Sequence, residues 1–104
     1  MQVWRINIVT EDEQAASYLK AFGHPVRLRI VQELLKGPKN VGEVERSLNI
    51  LQANASQHLS ILRINGIVDS SRRGNIKIYS LKEPKKIRSI MDALKADERQ
   101  SGDR

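Results

Sequence analysis

The chain has 104 residues, a net charge of +6 and no cysteine. A domain of this size buries roughly two-thirds of its unfolded surface and leaves no room for a second domain. The missing cysteines exclude disulfides, thiolate metal sites and thiol redox switches, and they suit a reducing cytoplasm. No apolar run approaches the ~20 residues of a bilayer span, and Arg5 interrupts the N-terminus where a signal peptide would be apolar.

Residues 3–8, VWRINI, alternate apolar Trp4, Ile6 and Ile8 with Arg5 and Asn7. The pattern is strand-like but short and fits equally an arm packed on a partner subunit, so residues 1–9 are set apart as an N-terminal arm. Thr10 followed by Glu13 is a capping box and predicts a helix over about 11–22, ended by Gly23. Pro25 suits a first helical turn, and Val26, Ile30, Val31, Leu34 and Leu35 form an apolar stripe up to Gly37 and Pro38. Asn40 with Glu43 repeats the capping box before a short helix whose Val41, Val44 and Leu48 share one face, after which Asn49 turns the chain. The next helix, about 52–65, places Ala55, Leu59 and Leu62 inward and stops at Gly66. IVDSS and NIKIYSL then read as strands flanking Arg72-Arg73-Gly74-Asn75, where Gly74 and Asn75 tolerate the positive φ of a hairpin turn. Glu83-Pro84 opens a last helix with the stripe Ile87, Ile90, Met91 and Leu94. Residues 97–104 carry no apolar pattern and read as a disordered tail, so the domain proper is 10–96.

This order predicts a mostly α fold with a small β-hairpin, a winged helix-turn-helix. With Ala55, Leu59 and Leu62 inward, the hundred-degree helical step turns Ala53, Ser56, Gln57 and Ser60 outward and sets Asn54 and His58 on one flank. Small and amide side chains approach a major-groove floor closely and match base edges, whereas bulky charges would hold the helix off. Charge follows where phosphates would pass. Residues 50–91 hold eight basic side chains against two acidic ones and so carry the whole excess. The DNA-binding set is therefore Gln52, Ala53, Asn54, Ser56, Gln57, His58, Ser60 and Arg63 on the helix, with Arg72, Arg73, Asn75 and Lys77 on the wing. Leu19, Ile87, Ile90, Met91 and Leu94 are expected to form a dimer surface.

The segments FGHPVRLRIVQELLKG, VGEVERSLNILQANASQHLSILRINGIV and RRGNIKIYSL resemble the ArsR/SmtB family of bacterial and archaeal transcriptional repressors, over about 70 of the 104 residues. The resemblance implies a homodimer joined through its first and last helices, bound to double-stranded DNA at an inverted-repeat operator and released by an inducer; for this chain that leaves an unidentified small molecule or control by protein level alone. It matches Gln52, Ser56, Gln57 and His58 to recognition-helix positions, and Arg73 and Gly74 to the wing tip. Two departures stand out. Leu51 replaces the usual Ser or Thr cap of the recognition helix. Asn40-Val41-Gly42-Glu43 replaces the Cys-Val-Cys-Asp thiolate site, and Asp92 stands alone where the last helix would supply Asp and His ligands. Persulfide and arsenite sensing through cysteine is thereby excluded.

Plainer readings accompany these. His24, just before a helix start, reads as a capping residue rather than a metal ligand, and His58 as a DNA-facing or packing residue. Lys82, Lys85, Lys86 and Arg88 read as well as a solvated face. The two histidines lie far apart in sequence and no phosphate-cradling glycine motif is present, so no catalytic residue, metal or cofactor is expected. The rival functions are a winged helix that binds an acidic protein, with only non-specific nucleic-acid binding, and RNA binding, for which four aromatic residues give few stacking platforms.

Overall fold

The computed structural model describes residues 10–102, with side chains as far as Lys95. The strand-like arm at residues 1–9 lies outside the described residues.

Helix α1 spans Glu11–Phe22 and begins with the expected capping box. The Glu13 amide donates to Thr10 Oγ1 at 3.0 Å, and the Thr10 amide donates to Glu13 Oε1 at 2.9 Å. Glu11, Asp12 and Glu13 lie at the positive end of this helix dipole. Helix α2, Pro25–Leu35, has His24 as its cap, and the Val26 amide donates to His24 Nδ1 at 3.1 Å. A two-residue strand β1, Lys39–Asn40, leads into α3, Val41–Leu48, where Asn40 and Glu43 form the second capping box. Asn49, with φ 57° and ψ 51°, makes the left-handed turn into α4, Gln52–Ile64. Gly66 ends that passage with a φ of 75°, a conformation open to glycine without a Cβ penalty. Strands β2, Val68–Arg73, and β3, Ile76–Leu81, form the hairpin, and α5 runs over Pro84–Gly102.

The core lies where α2, α3 and α4 meet. Ile30, Val31 and Leu34 pack with Val44 and Leu48 and with Ala55, Leu59 and Leu62, while Val68 and Tyr79 close it from the sheet. Those three residues of α4 are fully buried, which fixes the opposite face of the helix toward solvent.

Four features differ from the sequence reading. Ile87 and Met91, expected on a dimer surface, are buried in their own chain's core, because α5 packs back onto α2. A helical stripe announces a buried face without saying what buries it. The wing is a three-stranded antiparallel sheet, with β1 pairing to β3 through Lys39 opposite Tyr79 and Asn40 opposite Ile78. At the hairpin tip Gly74 alone takes a positive φ, 62°, so Asn75 is not in the left-handed region. Finally, α5 continues through residues 97–102, expected to be a tail from their lack of an apolar stripe. Ala96, Glu98, Arg99 and Gln100 are good helix formers, and extending an existing helix avoids a new nucleus.

Candidate nucleic-acid interface

Helix α4 presents an outer face that is uncharged up to its last turn. Gln52, Ala53, Asn54, Gln57, Ser60 and Arg63 are exposed. Ala53, Gln57 and Ser60 lie at steps of four and three, opposite the buried Ala55, Leu59 and Leu62, so they form the crest of the helix. Ser56 and His58 are half-buried on the flanks, less outward than expected for Ser56. The first turn holds no acidic residue, and Arg63 supplies a cation in the last turn.

Beneath this crest lies a support that sequence spacing does not reveal. The His24 and His58 rings pack with centroids 4.6 Å apart, and Arg27 Nη1 lies 3.3 Å from His58 Nδ1. Arg27 Nε also donates to the Ala21 carbonyl at 2.6 Å, in the last turn of α1. One guanidinium thus ties α1, α2 and α4 together. A donor aimed at His58 Nδ1 requires that nitrogen to be unprotonated, as the Val26 amide requires of His24 Nδ1. Burial, with His24 and Arg27 alongside, holds His58 below its ordinary pKa of 6.5. His58 is a packing residue on the helix flank and His24 a cap.

The wing carries the charge. Arg72 and Lys77 are directly opposite in the β2–β3 register, so two cations share one face of the hairpin. Like charges so placed repel, and a polyanion relieves that repulsion. Lys77 Nζ also lies 5.6 Å from the centroid of the Tyr79 ring, a cation–π contact that steers the ammonium. Arg73, opposite Ile76, projects from the other face. Arg72, Arg73, Asn75 and Lys77 are all exposed.

Sequence spacing also gives no sign that three apolar residues stand exposed around this surface. Leu51, the N-cap of α4, is 73% exposed and makes no capping hydrogen bond. Ile76 sits at the wing tip. Ile64, 75% exposed, lines a groove of about 870 Å³ with Tyr18 and Leu19 of α1 and Lys86 and Ile90 of α5. Leu19 and Leu94 are exposed and Ile90 is half-buried, so three of the five residues expected on the dimer surface keep accessible apolar area. Among the described residues no helix is long and apolar enough to cross a membrane.

Comparison with known proteins gives this geometry its family. The chain is 41% identical over 83 residues to the biofilm growth-associated repressor of Agrobacterium fabrum, covering 80% of this chain and 70% of that protein. It is 42% identical over 72 residues to the repressor of the same name from Xylella fastidiosa, covering 69% of this chain and 63% of that one, so it spans under two-thirds of that relative's length. The homodimeric winged helix-turn-helix DNA-binding domain of Mb0332 from Mycobacterium bovis superposes with a TM-score of 0.76 at 25% identity, over 86% of this chain and 84% of that domain. The model described as "Bacterial regulatory protein, arsR family" matches residues 24–70, from the cap of α2 through the recognition helix into β2. By this match over residues 24–70 and its 41% identity to the Agrobacterium fabrum repressor, the chain belongs to the ArsR family of bacterial regulatory proteins.

Proposed function

We propose that the protein is a dimeric, sequence-specific double-stranded DNA-binding transcriptional repressor. The observation that carries this reading is the division of surface chemistry. The crest Ala53, Gln57, Ser60 is exposed and uncharged, while exposed cations stand apart from it, Arg63 in the last turn of the same helix and Arg72, Arg73 and Lys77 on the hairpin. Gln52, Asn54 and Gln57 can present paired donor and acceptor groups to adenine, and Ser56 and Ser60 can serve base or phosphate. The cations supply affinity without sequence preference. His58 supports this face from its flank.

The dimer is joined through Leu19, Ile90 and Leu94, so its operator is an inverted repeat. A cytoplasmic site of action follows from DNA as the ligand. Any inducer acts without cysteine, since Asn40-Val41-Gly42-Glu43 offers no thiolate.

Selection of binding duplexes from a random pool tests this reading. Enrichment of an inverted repeat with half-sites about one helical turn, ~34 Å, apart is expected. Gln57→Ala should relax the selected base at one half-site position, and Arg73→Ala should weaken all duplexes alike. Recovery of no common sequence would defeat the proposal.

A further inference from the structure

We infer that Leu51 is a specificity-determining residue that reads the C5-methyl group of a thymine in each operator half-site. The inference rests on the DNA-binding reading above and deepens it. Leu51 holds the N-cap of α4 with extended backbone angles, φ −69° and ψ 146°, and its side chain makes no capping hydrogen bond. A cap position favours Ser, Thr, Asn or Asp, whose oxygen would accept from an otherwise unpaired amide. Leucine forgoes that hydrogen bond and leaves its own side chain 73% exposed, while its chain neighbour Ile50 is half-buried.

The position explains such a choice. In a helix-turn-helix the N-terminal end of the recognition helix enters the major groove. Leu51 is followed there by the exposed Gln52 and Ala53, so two apolar side chains bracket an amide. The thymine methyl is the apolar feature of the major-groove edge, and an apolar side chain is its natural contact. Gln52 can pair with an adenine in the same segment, so the contacted step is an A·T pair or borders one.

The test uses the operator recovered by selection and replaces each half-site thymine, one at a time, with deoxyuridine. That substitution removes the methyl group and leaves every hydrogen-bonding group in place. At one position the wild-type protein should lose about fourfold in affinity per half-site, the transfer value of one buried methyl. Leu51→Ser should bind thymine and uracil duplexes alike at that position, while Leu51→Met should retain the discrimination. Uracil without effect at every position would overturn the proposal, as would discrimination that survives in Leu51→Ser. A Leu51→Ser protein that sediments as a monomer where the wild type is a dimer would assign Leu51 to the subunit interface and overturn it as well. Failure to recover any operator would overturn the DNA-binding reading itself, and this proposal with it.

Discussion

Arg27 and His58 show how single residues hold the recognition helix in register. The guanidinium reaches the Ala21 carbonyl at 2.6 Å and His58 Nδ1 at 3.3 Å, so it links three helices from a half-buried position. Removing it leaves a carbonyl and a ring nitrogen short of a donor. Arg27→Ala should therefore destabilise the fold by about 1–3 kcal/mol, measured by urea unfolding. The same geometry sets a pH dependence. Burial, His24 and Arg27 lower the His58 pKa in the folded state, so the unfolded chain binds the proton more readily. Stability is then full above the ordinary value of 6.5 and is lost as pH falls from there through the lower folded-state pKa. The urea midpoint should drop as pH falls below about 6.5, and drop less in His58→Gln. An equal drop in both would mean that another group titrates.

At the scale of elements, the recognition helix and the wing pull stability and binding in opposite directions. Leu51→Ser should add a cap and stabilise the protein by about 1 kcal/mol. In the wing, Arg72 and Lys77 repel across the β2–β3 register. Lys77→Thr should leave the unfolding midpoint no lower, while reducing the slope of log affinity against log salt by about one for each phosphate that is no longer neutralised. A fall in stability with no change in slope would make Lys77 a structural residue only. The elements themselves were largely legible because their signals are local. Thr10 with Glu13 and Asn40 with Glu43 form the capping boxes that their spacing predicts. Ala55, Leu59 and Leu62 face the core as their periodicity requires. What escaped depends on residues distant in sequence. Strand β1 is two residues long and exists through its pairing with β3, so no period marks it. The approach of His58 to His24 and Arg27 depends on how α2 crosses α4. The stripe of Ile87 and Met91 is a buried face, as its period requires, but its neighbour is the chain's own core rather than a second subunit.

For the whole molecule, the remaining question is what covers the apolar area outside the core. Leu19 is 61% exposed and Leu94 is 54% exposed, one on the first helix and one on the last. Scattered singly such residues are ordinary, but Leu19 lines the same groove as Ile64 and Ile90, and Leu94 follows Ile90 by one helical turn. Pairing through these helices would join two copies of α4 in one molecule, each contributing to a shared affinity. Leu19→Asp with Leu94→Asp should give a folded monomer by sedimentation and reduce operator affinity by on the order of 100-fold, the gain of a linked second half-site. A double variant that stays dimeric would place the interface elsewhere.

Recognition of a DNA sequence by this surface is tested most directly by fluorescence anisotropy. The full chain is titrated against labelled duplex from the region upstream of its own gene and against a scrambled duplex, across a salt series. A preference of ~1,000-fold or more for the upstream duplex, with affinity falling steeply as salt rises, is the predicted result. Equal and weak binding to both duplexes would contradict it and favour an acidic protein as the partner of the basic wing.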